Sequence, residues 1–260
     1  MKLIFIRHGD PDYANDTLTS KGKREAALLA DIITKYRIDE VYQSPLGRAK
    51  DTAAYSLEKL GLPVKTLEWL QEFPGIVDPN VSADAREAYS NELEINPHTR
   101  EYEKRIMWDM LPSYYGKHPE LFDVKEWRNS PLFEGGIAVD AYDMVIENFD
   151  RFLAHQGYVR DGLTYRVENG NDKTIAFFCH YGISCVMLSR LWNVSPFVLM
   201  QFTALAPTSV TVVASEEREK GIGTFRTLRA GDISHLIIGD EEPSFSARFC
   251  ERFENEHERH

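Results

Sequence analysis

Short apolar runs, too brief for helices, alternate along this chain with longer segments whose apolar residues recur at helical spacing. That alternation restricts the fold to few architectures. Residues 3–6 read as a buried strand, and residues 20–36 as a helix with Ala26, Ala27, Leu29, Ala30 and Ile33 on one face. Residues 39–42 and 64–67 are further strands, with a helix over 44–60 between them. Ser44 is expected to cap that helix, Pro45 to fill its first turn and Gly61 to stop it. Downstream, residues 137–155 and 183–192 read as helices, 174–179 as an apolar strand, and 209–214 and 225–228 as two closing strands. Strands alternating with helices predict an α/β protein, a three-layer α/β/α sandwich with a mostly parallel central sheet.

Residues 73–134 break the rhythm. Helices are predicted over 82–93 and, after Pro97, over 99–110, followed by an aromatic stretch with Tyr114, Tyr115, Trp127 and Phe133. No linker composition flanks this block. The expectation is one domain over residues 1–260, with 73–134 as a helical lid insertion whose aromatics line a pocket or pack a small core.

The 260 residues are 43% hydrophobic, enough to bury a core, so a disordered chain is excluded. Against 41 acidic side chains stand 30 basic ones, a net charge of −11 that argues against nucleic acid or an anionic membrane as partner. The charge is uneven. Residues 1–60 carry 10 basic and 9 acidic groups, so anion chemistry is to be sought near the N-terminus. Cys179, Cys185 and Cys250 are too few for a disulfide framework and lack zinc-ligand spacing, which predicts a reduced, cytoplasmic setting. The apolar run before Arg7 is shorter than a signal-peptide core, and the uncharged stretch 174–189 is too short for a membrane span.

Arg7-His8-Gly9 directly follows the first strand, at the carboxyl end where open α/β sheets place ligands, and Gly9 permits a close backbone approach. Arg48 lies in the first turns of the second helix, near amides that attract anions, although a surface pair with Asp51 would also explain it. His180-Tyr181-Gly182 again ends an apolar strand and opens a helix. Either histidine alone could be a satisfied core residue; two strand-end His residues, each tied to a Gly, call for a common explanation.

Together these segments resemble the histidine phosphatase superfamily, which contains the cofactor-dependent phosphoglycerate mutases and the fructose-2,6-bisphosphatases. The resemblance rests on Leu3-Ile4-Phe5-Ile6-Arg7-His8-Gly9, Leu18-Thr19-Ser20-Lys21-Gly22, Ser44-Pro45-Leu46-Gly47-Arg48-Ala49-Lys50-Asp51-Thr52-Ala53 and His180-Tyr181-Gly182. It covers about residues 1–72 and 135–235. It implies His8 as the nucleophile that becomes phosphorylated, with Arg7, Arg48 and His180 around the phosphoryl group and Gly9 beside it. The chemistry agrees: an in-line attacker with fixed positive charge on the equatorial oxygens supports phosphoryl transfer without a metal or other cofactor. Glu72 stands where the family carries its acid, with Glu134, Asp10 and Asp12 as rivals. The sequence departs from the family after Glu72, with Phe73-Pro74-Gly75-Ile76-Val77, and at Gly135-Gly136-Ile137-Ala138. Thr208 is a candidate phosphate donor, Thr19 or Ser20 is read as a helix cap, and Cys179 as packing.

Three functions follow. The first is a phosphatase acting on a small phosphorylated metabolite through phosphohistidine on His8. The second is a mutase that returns the phosphoryl group to substrate, disfavoured by Asp10 and Asp12 after the Arg-His-Gly. The third is a phospho-ligand binding module without turnover. Specificity is expected in residues 73–134, and the sequence leaves the oligomeric state open.

Overall fold

The computed structural model describes residues 1–91, 93–244 and 253–254. Cys250 lies outside the described residues. The chain divides into two compact units, one formed by Met1–Glu72, Asp150–Ser184 and Ala204–His260, the other by Phe73–Phe149 and Cys185–Thr203.

In the first unit an eight-stranded sheet is built from β1 (Lys2–Arg7), β2 (Glu40–Gln43), β3 (Val64–Thr66), β4 (Tyr158–Asp161), β5 (Thr164–Val167), β6 (Thr174–Cys179), β7 (Val210–Glu219) and β8 (Ile222–Asp232). Their order is β3-β2-β6-β1-β7-β8-β5-β4. The first four of that row are mutually parallel, whereas β7, β8, β5 and β4 extend the sheet through antiparallel pairings. The two central parallel strands are buried and apolar over residues 3–6 of β1 and 175–179 of β6, as strands covered on both faces must be, whereas β3 at the sheet edge exposes Lys65 and Thr66. β4 and β5 carry Arg160, Asp161 and Arg166 in an edge hairpin, and their apolar signal is too weak to have marked them as strands.

Period-two alternation sends Ile4, Ile6, Val41, Ala176, Phe178, Val210 and Val212 to one face of the sheet, where they pack on Leu29, Ile33 and Ala53 of two helices. These are α1 (Ser20–Ile33) and α2 (Gly47–Leu60). Tyr42 and Phe177 instead meet Phe152 of helix α3 (Ala138–His155), and Phe5 stacks on Phe177 at 5.6 Å. Helices on both faces complete the α/β/α layering expected from sequence.

Local signals explain where α1 and α2 start and stop, with one correction. Thr19 caps α1, its Oγ1 accepting from the Gly22 amide at 3.1 Å. Gly61 ends α2 in the left-handed conformation, φ +64°, that glycine adopts without strain. Ser44 and Pro45, however, do not start α2. The helix begins at Gly47, whose amide is satisfied by Asp16 Oδ2 at 2.6 Å, and the Ser44 hydroxyl is turned to another use. Asp16 comes from the segment between β1 and α1 and reaches the start of α2, a long-range cap that no local pattern reveals.

The second unit has its own core. Trp127 is fully buried and meets Phe133, Tyr142 and Phe197 at ring distances of 5.5, 5.0 and 6.2 Å. Tyr114, equally buried, donates to Asp84 at 2.8 Å, so both aromatics pack this core. The helix predicted over 82–93 is shorter, Ala83–Ala88, capped by Ser82. The helix predicted over 99–110 is absent. Asn96 Oδ1 takes the amides of His98 and Thr99, and Ile95 bridges to Tyr102 in a tight turn. Arg100, left-handed at φ +61°, breaks any helix there, and Arg105–Ile106 then pairs as a short strand with Ile76–Val77. No helix among the described residues is long and apolar enough to cross a membrane.

Candidate active site

The parallel half of the sheet brings its carboxyl ends together. β1 and β6 are neighbours with Arg7 opposite Cys179, so His8 and His180, one residue beyond each, stand side by side. Their rings are 5.1 Å apart between centroids, tilted by 59°. The His8 amide donates to the Cys179 carbonyl at 2.9 Å, and Ser44, one residue past β2, donates its amide to the Phe178 carbonyl at 2.9 Å. Backbone bonds to β6 therefore fix His8 and Ser44 on the two sides of the strand that ends at His180.

His8 is 1% exposed. Its Nδ1 lies 2.7 Å from the Gly9 carbonyl, which can only accept, so Nδ1 carries the proton and Nε2 keeps the lone pair. Burial first, then Arg7, His180 and Arg48, holds its pKa well below the usual histidine range. His180, with none of its surface exposed, is held down at about 3 by burial and by Arg48 and Arg7. Both rings are neutral at pH 7, beside two guanidinium groups that are not.

Gly9 is required by close approach. A Cβ there would sit 2.7 Å from the Gly22 carbonyl, and the Gly9 amide instead donates to Thr52 Oγ1 at 2.9 Å. Arg7 donates Nη1 to the Leu205 carbonyl at 2.7 Å and lies 5.4 Å from the Tyr181 ring centroid. Arg48 pairs with Asp16 at 2.7 Å rather than with Asp51, while its buried Nε has no hydrogen-bond partner among the described residues. Burial alone would raise the Asp16 carboxyl, but the Gly47 amide and the Arg48 side chain outweigh it and keep it ionised.

The carboxylates separate clearly by what they touch. Glu72 Oε1 accepts the Ile183 amide at 3.1 Å, at the first turn of α4 (Tyr181–Trp192), which opens directly after His180. Asp10 is bonded to Thr19 at 2.6 Å and to Ser244, and Asp12 accepts from the Asn15 amide and side chain. Glu134 belongs to the other unit and is exposed. Of the four, Glu72 alone is tied to the turn that carries His180.

Thr208 is placed beside the histidine but not as expected of a phosphate donor. Its amide is shared between the Arg7 and His8 carbonyls, each at 3.1 Å. Its hydroxyl donates to the Pro207 carbonyl at 2.7 Å and therefore accepts from His235 Nε2 at 2.9 Å. At φ +57° this β-branched residue occupies a conformation it rarely adopts, held there by those bonds. Asp16, Thr52 and His235 were not singled out from sequence, because each acts across more than 25 positions and none sits in a recognisable pattern. Cys179 is packing: it is buried, and burial pushes its thiol up to about 12.

His235 gives a stability prediction. Burial, opposed by Asp232, holds it down at about 4. Between about pH 6.5 and 4 the unfolded chain takes a proton that the fold refuses, so stability falls as pH falls, by at most about 1.4 kcal/mol per pH unit for one group. Glu25, raised to about 7 by burial, acts oppositely, its contribution being lost as pH rises. That slope is common to parent and variant. His235→Gln is therefore expected to flatten the dependence of urea unfolding free energy on pH in this window by about one proton, and an unchanged slope would remove His235 from the account.

The family model of the histidine phosphatase superfamily (branch 1) matches residues 3–105. No curated protein sequence matches the chain. Among solved structures, a phosphoserine phosphatase mutant from Entamoeba histolytica in complex with phosphoserine is 20% identical, with a TM-score of 0.54 over 90% of this chain and 98% of that one. A mycobacterial glucosyl-3-phosphoglycerate phosphatase in complex with inorganic phosphate is 18% identical, with a TM-score of 0.53 over 90% and 98%. These likenesses show a shared fold. The segment that matches the family model carries Arg7, His8, Gly9, Arg48 and Glu72, and His180 stands beside His8 at the end of the neighbouring strand.

Proposed function

We propose that this protein hydrolyses a phosphomonoester through a phosphohistidine on His8. The observation that carries the reading is a buried, neutral His8 with its proton on Nδ1, flanked by His180 and within the field of Arg7 and Arg48. Nε2 attacks phosphorus as the bond to the leaving oxygen breaks, and Glu72 gives that oxygen its proton. Water then attacks the phosphohistidine, Glu72 takes the water's proton, and the P–N bond breaks to release orthophosphate and restore the lone pair. The Gly9 carbonyl stabilises Nδ1–H while the ring carries positive charge. Arg7, Arg48 and His180 supply the charge and donors for the equatorial oxygens, so no metal or other cofactor is invoked.

The substrate is assigned to small phosphorylated metabolites, in line with the phosphoserine and 3-phosphoglycerate complexes of the Entamoeba histolytica protein. Selection among them is assigned to residues 73–134, where none of the phosphate-handling motifs fall. Incubating the protein with a panel of metabolite phosphates in the presence of a chelator is expected to release orthophosphate. Conversion of 3-phosphoglycerate to its 2-isomer with no phosphate released would replace the reading with a mutase; phosphate binding with neither outcome would replace it with a binding module.

A further inference from the structure

His180 has two ring nitrogens in opposite situations. Nε2 is 2.7 Å from Ser44 Oγ, whereas Nδ1 is buried and has no hydrogen-bond partner among the described residues. Ser44 is itself fully buried, and its hydroxyl already accepts the Leu46 amide at 3.2 Å. The hydroxyl proton must go somewhere. Apart from His180 Nε2, no acceptor among the described residues is hydrogen-bonded to Ser44 Oγ, and a buried hydroxyl proton left unpaired is costly. Oγ–H therefore donates to Nε2, Nε2 is the unprotonated nitrogen, and the neutral ring carries its proton on Nδ1.

Sheet order says where that proton points. β6 lies between β2 and β1, so the residue after β6 has Ser44 on one side and His8 on the other. Anchoring Nε2 on the β2 side turns the opposite edge of the ring toward β1. There, Arg7 and Arg48 are close enough to depress the titration of both histidines.

We propose that Ser44 is a positioning residue that fixes His180 as its Nδ1–H tautomer, so that His180 presents a hydrogen-bond donor to a phosphoryl oxygen held at His8. The proposal rests on the phosphatase reading for the identity of the ligand, but not for the tautomer. With the opposite tautomer, Nδ1 would turn a lone pair on the anion and repel it. Ser44 thus decides whether a neutral ring attracts phosphate.

The test uses the full chain labelled with 15N-histidine, His180 being identified by the signal lost in His180→Asn. In the parent near pH 7, Nε2 of His180 is expected at the unprotonated position and Nδ1 at the protonated one. Nε2 protonated in the parent overturns the proposal whatever the activity. In Ser44→Ala the two tautomers are expected to mix, and binding of inorganic phosphate to weaken by about tenfold, the loss of one hydrogen bond to a charged group. Ser44→Thr, which keeps the hydroxyl, is expected to restore both. Parental tautomer and phosphate affinity in Ser44→Ala would overturn the role. A parent with the expected tautomer but no phosphate release would instead count against the phosphatase reading and leave the Ser44 contact standing.

Discussion

His8→Ala is expected to lower kcat for any phosphomonoester by about 10^4-fold or more, because in the proposed reaction it removes the atom that accepts the phosphoryl group. Nε2 of His8 carries the lone pair of that ring, since Nδ1 is committed to the Gly9 carbonyl. His180 cannot take over, because its Nε2 lone pair is occupied by Ser44. The guanidinium groups of Arg7 and Arg48 are untouched by the change, and they are anchored by the Leu205 carbonyl and by Asp16 rather than by His8. Inorganic phosphate or vanadate should therefore still bind, within a few-fold of the parental affinity, while turnover is lost. The pair of measurements separates a nucleophile from a binding group. Steady-state hydrolysis of an aryl phosphate and equilibrium binding of phosphate check it. A variant that turns over at the parental rate would remove His8 from the reaction, and one that loses turnover and binding together would reduce it to a phosphate ligand.

Much of the site was legible because its residues sit where chain direction changes. A strand that ends in Arg-His-Gly and another that ends in His-Tyr-Gly announce two strand ends, and parallel strands put such ends on one edge. Adjacency is another matter. Nothing in residues 3–6 or 174–179 says that these strands, so far apart in sequence, are neighbours; that follows from sheet order. Ser44 shows how a correct residue acquires a wrong role. Serine before proline ahead of a helical stretch is a strong cap signal, yet the hydroxyl bonds His180, and Asp16 satisfies the helix instead. The helix expected over 99–110 failed because Arg100 is left-handed, φ +61°, and the chain turns back so that Ile95 bridges to Tyr102. In each case contacts made across space or across a turn outweighed local propensity.

The acid is the least local assignment, and its test has the second largest expected effect. Glu72→Gln keeps an oxygen to accept the Ile183 amide, so α4 and His180 should stay in place while the transferable proton is lost. For an alkyl phosphate, whose leaving oxygen must be protonated, kcat/KM is expected to fall by about 10^2 to 10^4-fold. For an activated aryl phosphate the phenolate leaves without help, and phosphorylation of His8 should remain fast. Attack by water on the phosphohistidine still needs a base, so the second step becomes limiting. A rapid burst of phenolate, close to one per site, should then precede a slow steady state, and acid-labile, base-stable phosphate should be found on the protein after quenching. The bell-shaped pH profile of the parent should lose the limb set by the carboxyl. Equal losses on alkyl and aryl substrates without a burst would assign the proton to another group. The same experiment on Asp10→Asn serves as the control: Asp10 is bonded to Thr19 and Ser244, so its change is expected to alter stability without a leaving-group dependence.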